Sequence, residues 1–127
     1  MDASTLMAKA RTACASAHLL LERGDSDGAC NRAYYAMFDA ARAALLATRA
    51  EVSVNVGKTH SGVLSAFSLH LVKNGPVPRE VGRLLKQAEE IRIVADYSGE
   101  SIGPDDARRL VEAAEIFVST LAALQGL

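Results

Sequence analysis

The chain has 127 residues, of which 50% are hydrophobic, 5% aromatic and 23% charged, and its net charge is −1. This length predicts a single domain over residues 1–127, and the half-apolar composition excludes a disordered chain. The near-zero net charge excludes the broad positive field of a general nucleic-acid binder, so any nucleic-acid contact has to come from a local cluster of basic side chains.

The sequence carries no signal for a membrane, a metal or a cofactor. No apolar stretch approaches the roughly 18 to 20 residues that cross a bilayer, and the first residues lack the pattern of a signal peptide. Cys14 and Cys30 fit no metal spacing and predict small buried side chains rather than a disulfide. The three histidines are too scattered for a zinc motif. We therefore expect a soluble cytoplasmic protein without metal or cofactor.

The 23 alanines and 15 leucines, against 9 glycines and 3 prolines, favour helices. Apolar periodicity predicts five of them, at about residues 4–22, 27–49, 59–72, 78–94 and from 104 onward. Ser4 and Thr59 are predicted N-caps. Residues 50–58 alternate in polarity, which is compatible with a short strand, but the absence of a second strand favours an extended connection. The predicted fold is an all-α, antiparallel up-and-down bundle of four to five helices, with the second helix at its centre.

The second predicted helix carries polar side chains that packing does not require. Their spacings of 3, 4 and 3 place them on one face, and they are Arg32, Tyr35, Asp39 and Arg42. The commoner interpretation of such a face is a solvated surface with weak intrahelical ion pairs. The alternative interpretation is a ligand site.

Two further motifs allow the same pair of interpretations. Arg92 and Asp96 stand four residues apart near the end of the fourth predicted helix, which is the spacing of an ordinary ion pair, and Tyr97 follows. Lys58 and His60 flank the start of the third predicted helix, where free backbone N–H groups can hold a phosphate. The glycine pattern of a nucleotide-binding P-loop is absent, and an ordinary capped helix explains the segment equally well.

Taken together, four segments resemble the HEPN domain family. They are RAYYAMFDAAR at residues 32–42, KTHSGV at 58–63, GRLL at 82–85 and RIVADY at 92–97, and the likeness spans roughly residues 10–121. The resemblance implies a helical bundle that usually forms a homodimer. It also implies a genetic context, because many members are encoded beside a minimal nucleotidyltransferase and form toxin–antitoxin pairs with it.

Active members of the family are metal-independent endoribonucleases whose site has an arginine followed, after four to six residues, by a histidine. Here Arg92 is retained, but Asp96 stands where that histidine is expected. Arg32 is followed by Asp39, which is also not a histidine. An ordinary aspartate, with a pKa near 3.9, is ionised at neutral pH and repels phosphate. His60 is the remaining candidate for the imidazole, provided that the fold brings it close to Arg92.

These observations leave three hypotheses. The leading one is an RNA- or nucleotide-binding module that acts with a nucleotidyltransferase in a toxin–antitoxin or stress-response pair. It dimerises and presents Arg32, Lys58, His60 and Arg92 around a polar cleft, and Tyr35, Asp39 and Tyr97 are further expected ligand-binding residues. The alternative is an endoribonuclease with a rearranged site, for which Arg92, Asp96 and His60 are the candidate catalytic residues. The third is a purely structural dimerisation domain whose polar residues fix the dimer. Whether the protein is an enzyme stays open at this point.

Overall fold

The computed structural model describes residues 1–48 and 59–127, and all regular structure in these two ranges is helical. The helices are α1 (Ala3–Arg23), α2 (Ser26–Ala47), α3 (His60–Phe67), α4 (Arg79–Ser98) and α5 (Pro104–Gln125), and a π-helical segment (Ser68–Lys73) follows α3 directly. The predicted all-α bundle is therefore confirmed. Residue 49, at the predicted end of the second helix, and the candidate strand at 50–58 lie outside the described residues.

Side chains that cap the helix starts fix where the first three helices begin. The predicted cap at Ser4 is wrong, because Asp2 lies three residues before Thr5 and accepts a hydrogen bond from its backbone N–H at 2.7 Å. Asp25 caps α2 in the same way, at 2.8 Å from the N–H of Gly28. Thr59 caps α3 as predicted. Each cap satisfies one of the N–H groups that a helix start leaves free.

Two helix ends differ from the sequence-based prediction. The fourth helix was expected to end at residue 94, but α4 continues to Ser98, where Gly99 ends it in the left-handed conformation with φ of 76°. The polar residues after residue 94 remain compatible with helix, and only the glycine stops it. The predicted third helix changes from α to π geometry at Ser68. Arg92, Asp96 and Tyr97 therefore all lie on one continuous helix.

The second helix lies at the centre of the bundle, as its sequence predicted, and packs against α1, α3, α4 and α5. Seven of its twelve buried residues are alanines, which allow neighbouring helices to approach closely. The inner face of α5 is buried from Ala107 to Ala122, whereas Leu124, in the last turn of the helix, is 43% exposed. No helix within the described ranges is long and apolar enough to span a bilayer.

The two cysteines, Cys14 and Cys30, are buried and unbridged, as predicted. Burial raises the pKa of each thiol to about 11, so both stay protonated near neutral pH. A protonated, buried thiol is a poor nucleophile. The cysteines therefore act as small core side chains, and the chemistry of the molecule has to be sought among its other polar residues.

A glycine sets how closely α4 approaches the π-helical segment. A Cβ atom added to Gly82 would lie 2.8 Å from Cγ2 of Val72, a distance that real side chains do not adopt. Because α4 also packs on α2, polar side chains on the inner face of α4 lie against aromatic residues of the central helix.

Candidate functional site

Side chains from three helices meet at Tyr34 of α2. Its ring is fully buried, and its hydroxyl lies 2.9 Å from Nδ1 of His60 on α3. The His60 ring stacks on Phe38 with 4.5 Å between ring centroids. The guanidinium carbon of Arg92, on α4, lies 4.9 Å from the centroid of the Tyr34 ring. The imidazole and the guanidinium that the sequence singled out therefore contact the same phenol.

Two carboxylates hold the Arg92 side chain, which is only 16% exposed. Nη1 donates a hydrogen bond to Asp96 at 3.0 Å, so the predicted i,i+4 pair is present, and Nη2 lies 3.6 Å from Glu89. Nε of Arg92 and Oε2 of Glu89 are buried without a hydrogen-bond partner among the described residues. We call Tyr34, His60, Glu89, Arg92 and Asp96 the histidine–arginine cluster.

The proton of Tyr34 decides which chemistry His60 can perform. Burial, followed by the neighbouring Glu89 carboxylate, raises the pKa of the Tyr34 phenol, so it stays protonated at neutral pH. If the phenol donates to Nδ1 of His60, the imidazole carries its proton on Nε2 and acts as a donor. If Nδ1 of His60 carries the proton instead, the phenol oxygen accepts from Nδ1–H and Nε2 is left as a proton acceptor. In both arrangements Tyr34 fixes the orientation of the His60 ring.

The polar face of α2 lines a separate surface, a groove between α1 and α2 with a volume of about 530 Å³. Its side chains include Lys9, Arg32, Tyr35, Phe38, Asp39 and Arg42, and we call this surface the α1–α2 groove. Asp39 lies 3.9 Å from Arg42, whose guanidinium lies over the Phe38 ring at 5.9 Å. Burial raises the pKa of the Asp39 carboxyl, while the charges of Lys9, Arg42 and Arg32 oppose that rise.

The structure thus divides the candidate residues between two adjoining surfaces. Arg92, Asp96 and His60 belong to the histidine–arginine cluster. Arg32 and Asp39 belong to the α1–α2 groove. Tyr35 joins the two, because it lines the groove and its ring meets His60 edge-on with 5.7 Å between centroids.

Tyr97 belongs to neither surface: it is 81% exposed on the outer side of α4, near the exposed Ile93 and Val94. Lys58 lies outside the described residues. No group of three or more His, Cys, Asp or Glu side chains in the described part of the chain is arranged to hold a metal ion.

Sequence reasoning missed four residues of these surfaces. Tyr34 and Phe38 sit inside the RAYYAMFDAAR motif, but their apolar neighbours are typical of core packing. Glu89 precedes Arg92 by three residues, a spacing that signals an ion pair. Lys9 reaches the groove from another helix and belongs to no motif, so no signal in the sequence marked it.

Comparisons with known proteins identify relatives over most of the chain. A family model described as "HEPN domain" matches residues 3–124. The chain is 40% identical over 94 residues to a UPF0332 protein of Gloeobacter violaceus, covering 74% of this chain and 71% of that protein. It is 31% identical over 106 residues to a Methanocaldococcus jannaschii protein named "Putative toxin MJ0605", covering 84% and 75%. It is 39% identical over 89 residues to a UPF0332 protein of Thermotoga maritima, covering 70% and 64%.

Proposed function

Because this chain belongs to the HEPN domain family, we propose that its histidine–arginine cluster binds RNA or a nucleotide. The observation that carries the proposal is the meeting of His60 and Arg92 on the Tyr34 ring. A guanidinium offers two parallel donors that match phosphate geometry, and an imidazole adds a third donor or acceptor beside it. Such a pair is suited to hold a phosphate group.

The carboxylates of the cluster have to be weighed against this proposal. With His60 neutral, Glu89 and Asp96 outnumber Arg92, and a bound phosphate has to displace Asp96 from the guanidinium. Asp96 is 46% exposed, and ion pairs that face water are worth only about 0–1 kcal/mol. The exposed Asp96 is therefore weakly held and can give way to a phosphate, which accepts the same kind of hydrogen bond from the guanidinium, while Glu89 still holds the guanidinium in place.

Mixing the purified protein with a labelled single-stranded RNA, or with labelled ATP, tests the binding proposal. At low salt we expect binding of at least one of them at micromolar protein, measured by fluorescence anisotropy. Changing Arg108 to alanine provides a control, since this exposed arginine of α5 pairs with Asp105 and belongs to neither the cluster nor the α1–α2 groove, and it should leave the affinity unchanged. Absence of binding to both ligands would contradict the proposal.

The same geometry supports a second candidate function, a metal-independent endoribonuclease. A base removes the ribose 2′-OH proton, the 2′ oxygen attacks the adjacent phosphorus, and the bond to the 5′ oxygen breaks as that oxygen takes a proton. The products are a 2′,3′-cyclic phosphate and a 5′-hydroxyl. Since Asp96 accepts from Arg92, the geometry favours His60 over Asp96 as the base. On this hypothesis the RNA of the binding assay is cleaved in the presence of EDTA, and His60→Ala stops the cleavage.

We also propose that the protein forms a homodimer and acts with a nucleotidyltransferase in a toxin–antitoxin or stress-response pair. The name of the Methanocaldococcus jannaschii relative supports a toxin-like role. The outer side of α4 supports self-association, because Ile93, Val94 and Tyr97 expose 41%, 57% and 81% of their surface beside the cluster.

Sedimentation velocity at rising protein concentration measures the proposed dimer. We expect Val94→Asp to shift the population towards monomer, because it places a charge in a contact that excludes water. Ile116→Asp is the matched control, since Ile116 is similarly exposed, at 54%, on α5. Equal effects of the two substitutions would argue against an interface on α4. A dimer that binds neither RNA nor nucleotide would favour the purely structural domain.

A further inference from the structure

The α1–α2 groove concentrates positive charge on a chain whose net charge is −1. Three of its side chains, Lys9, Arg32 and Arg42, are cationic and one, Asp39, is anionic. Lys9 and Arg32 are exposed and form no ion pair with any of the described residues. The groove is therefore the kind of local basic cluster that nucleic-acid binding requires in a protein without a broad positive field.

The dimensions of the groove match a short stretch of one nucleic-acid strand. Arg32 and Arg42 are ten residues apart on α2, which is about 15 Å along the helix axis. A stacked strand rises about 3.4 Å per nucleotide, so the two guanidiniums span on the order of four nucleotides. Tyr35 lies between them, lines the groove and is partly exposed, whereas the Phe38 ring is buried beneath His60 and Arg42. A partly exposed aromatic side chain such as Tyr35 can stack on an unpaired base but not on a base within a duplex.

We infer that the α1–α2 groove holds the phosphate backbone of a single RNA strand and leads it to His60. The inference rests on the proposed function, because it extends the binding site that the cluster provides. Tyr35 carries the inference, because its partly exposed side chain lines the groove and its ring also contacts His60, at 5.7 Å between centroids. A strand held along the groove is therefore placed beside the residue that contacts the imidazole.

Asp39 opposes the strand electrostatically while it positions Arg42. Its carboxylate side chain is only 14% exposed and lies 3.9 Å from the guanidinium. Changing Asp39 to asparagine preserves the size of the side chain and removes the one negative charge of the groove. A merely structural role for this surface predicts unchanged or weaker binding on that change, whereas an RNA path predicts tighter binding.

The test compares the affinities of an unstructured RNA of about eight nucleotides, an RNA duplex and ATP, over roughly 50 to 200 mM salt. The full chain is used, with Lys9→Ala/Arg32→Ala as the groove variant. Arg83→Ala/Lys86→Ala is the matched control, since it removes the same charge from two exposed residues of α4. We expect the single strand to bind most tightly, and the groove variant to lose about tenfold in affinity, about threefold for each of two cations, because contacts that face water are weak.

The salt dependence gives a second readout. Each lost phosphate contact lowers the slope of log affinity against log salt by about 0.7 for a single strand, so the groove variant should lose about 1.4 while the control keeps the wild-type slope. Asp39→Asn should bind the strand more tightly. Thermal unfolding checks that all variants fold.

The outcomes separate the inference from the proposed function. If the wild type binds neither RNA nor ATP, the proposed function is wrong, and so is the inference that rests on it. If the wild type binds RNA but the groove variant binds as tightly as the control, the inference is overturned while the proposed function stands. Equal affinity for ATP and the oligonucleotide, or weaker binding by Asp39→Asn, likewise overturns the RNA path.

Discussion

Changing Arg92 to glutamine is expected to weaken RNA binding by about tenfold to a hundredfold. The guanidinium lies against the Tyr34 ring, is held by Glu89, and carries an Nε–H without a partner among the described residues. Loss of a charge-assisted hydrogen bond to phosphate costs about 1.5–3 kcal/mol, which corresponds to that range of affinity. Fluorescence anisotropy with the same labelled RNA measures the change.

Two further variants separate binding from folding at this position. Arg92→Lys keeps the charge but loses the paired donors, so we expect an intermediate affinity. Arg92→Gln leaves Glu89 partly buried without its cation, which is expected to lower the free energy of unfolding by about 1–3 kcal/mol. Denaturant titration therefore accompanies each binding curve. If a folded Arg92→Gln protein bound RNA with wild-type affinity, Arg92 would not be part of the binding site.

Changing Tyr34 to alanine is expected to lower the free energy of unfolding by about 3–5 kcal/mol, the usual cost of truncating a buried aromatic residue. The Tyr34 ring is fully buried and packs against Tyr35, Phe38, His60 and Arg92. Because single domains are stable by only about 5–15 kcal/mol, this loss is a large fraction of the total. Urea unfolding followed by circular dichroism measures it.

Tyr34→Phe is the matched control for the hydroxyl alone. It keeps the ring and removes the hydrogen bond to His60, so the expected loss of stability is only about 0.5–1.5 kcal/mol. The imidazole also loses the hydrogen bond that orients it. The rate of any RNA cleavage is therefore expected to fall further than this small loss of stability explains. If Tyr34→Ala unfolded at the wild-type urea concentration, the central position of this residue in the cluster would be wrong.

The fold could be predicted from the sequence to the extent that local signals determine it. Apolar periodicity and the glycine-rich breaks were sufficient for five helices, and the alanine-rich second helix identified the centre of the bundle. The cap at Asp2 was missed because Ser4 is also a good cap, and the choice depends on where α1 packs. The π geometry at Ser68–Lys73 has no local signature, since it arises where the chain turns to meet α4.

The site was predictable only where it coincides with a sequence motif. Arg92, Asp96 and His60 were identified from the family resemblance, and the Arg92–Asp96 pair follows from its spacing on one helix. The contacts of His60 and Arg92 with Tyr34 depend instead on how α3 and α4 pack on α2. That Arg32 and Asp39 line a groove could not be predicted without the position of α1, which forms its other wall. Lys9 shows the limit most clearly, since only the fold brings it near Asp39.

Chemical-shift mapping on the full-length, ¹⁵N-labelled protein tests the central claim most directly. During titration with a short unstructured RNA, we expect the largest shifts at the amides of Tyr34, Tyr35, His60 and Arg92 and along the α1–α2 groove. The outer face of α5, including Glu112 and Ile116, should stay unchanged. Binding whose shifts are confined to that outer face, or the absence of any shift at His60 and Arg92 at saturation, would contradict an RNA site built on the histidine–arginine cluster.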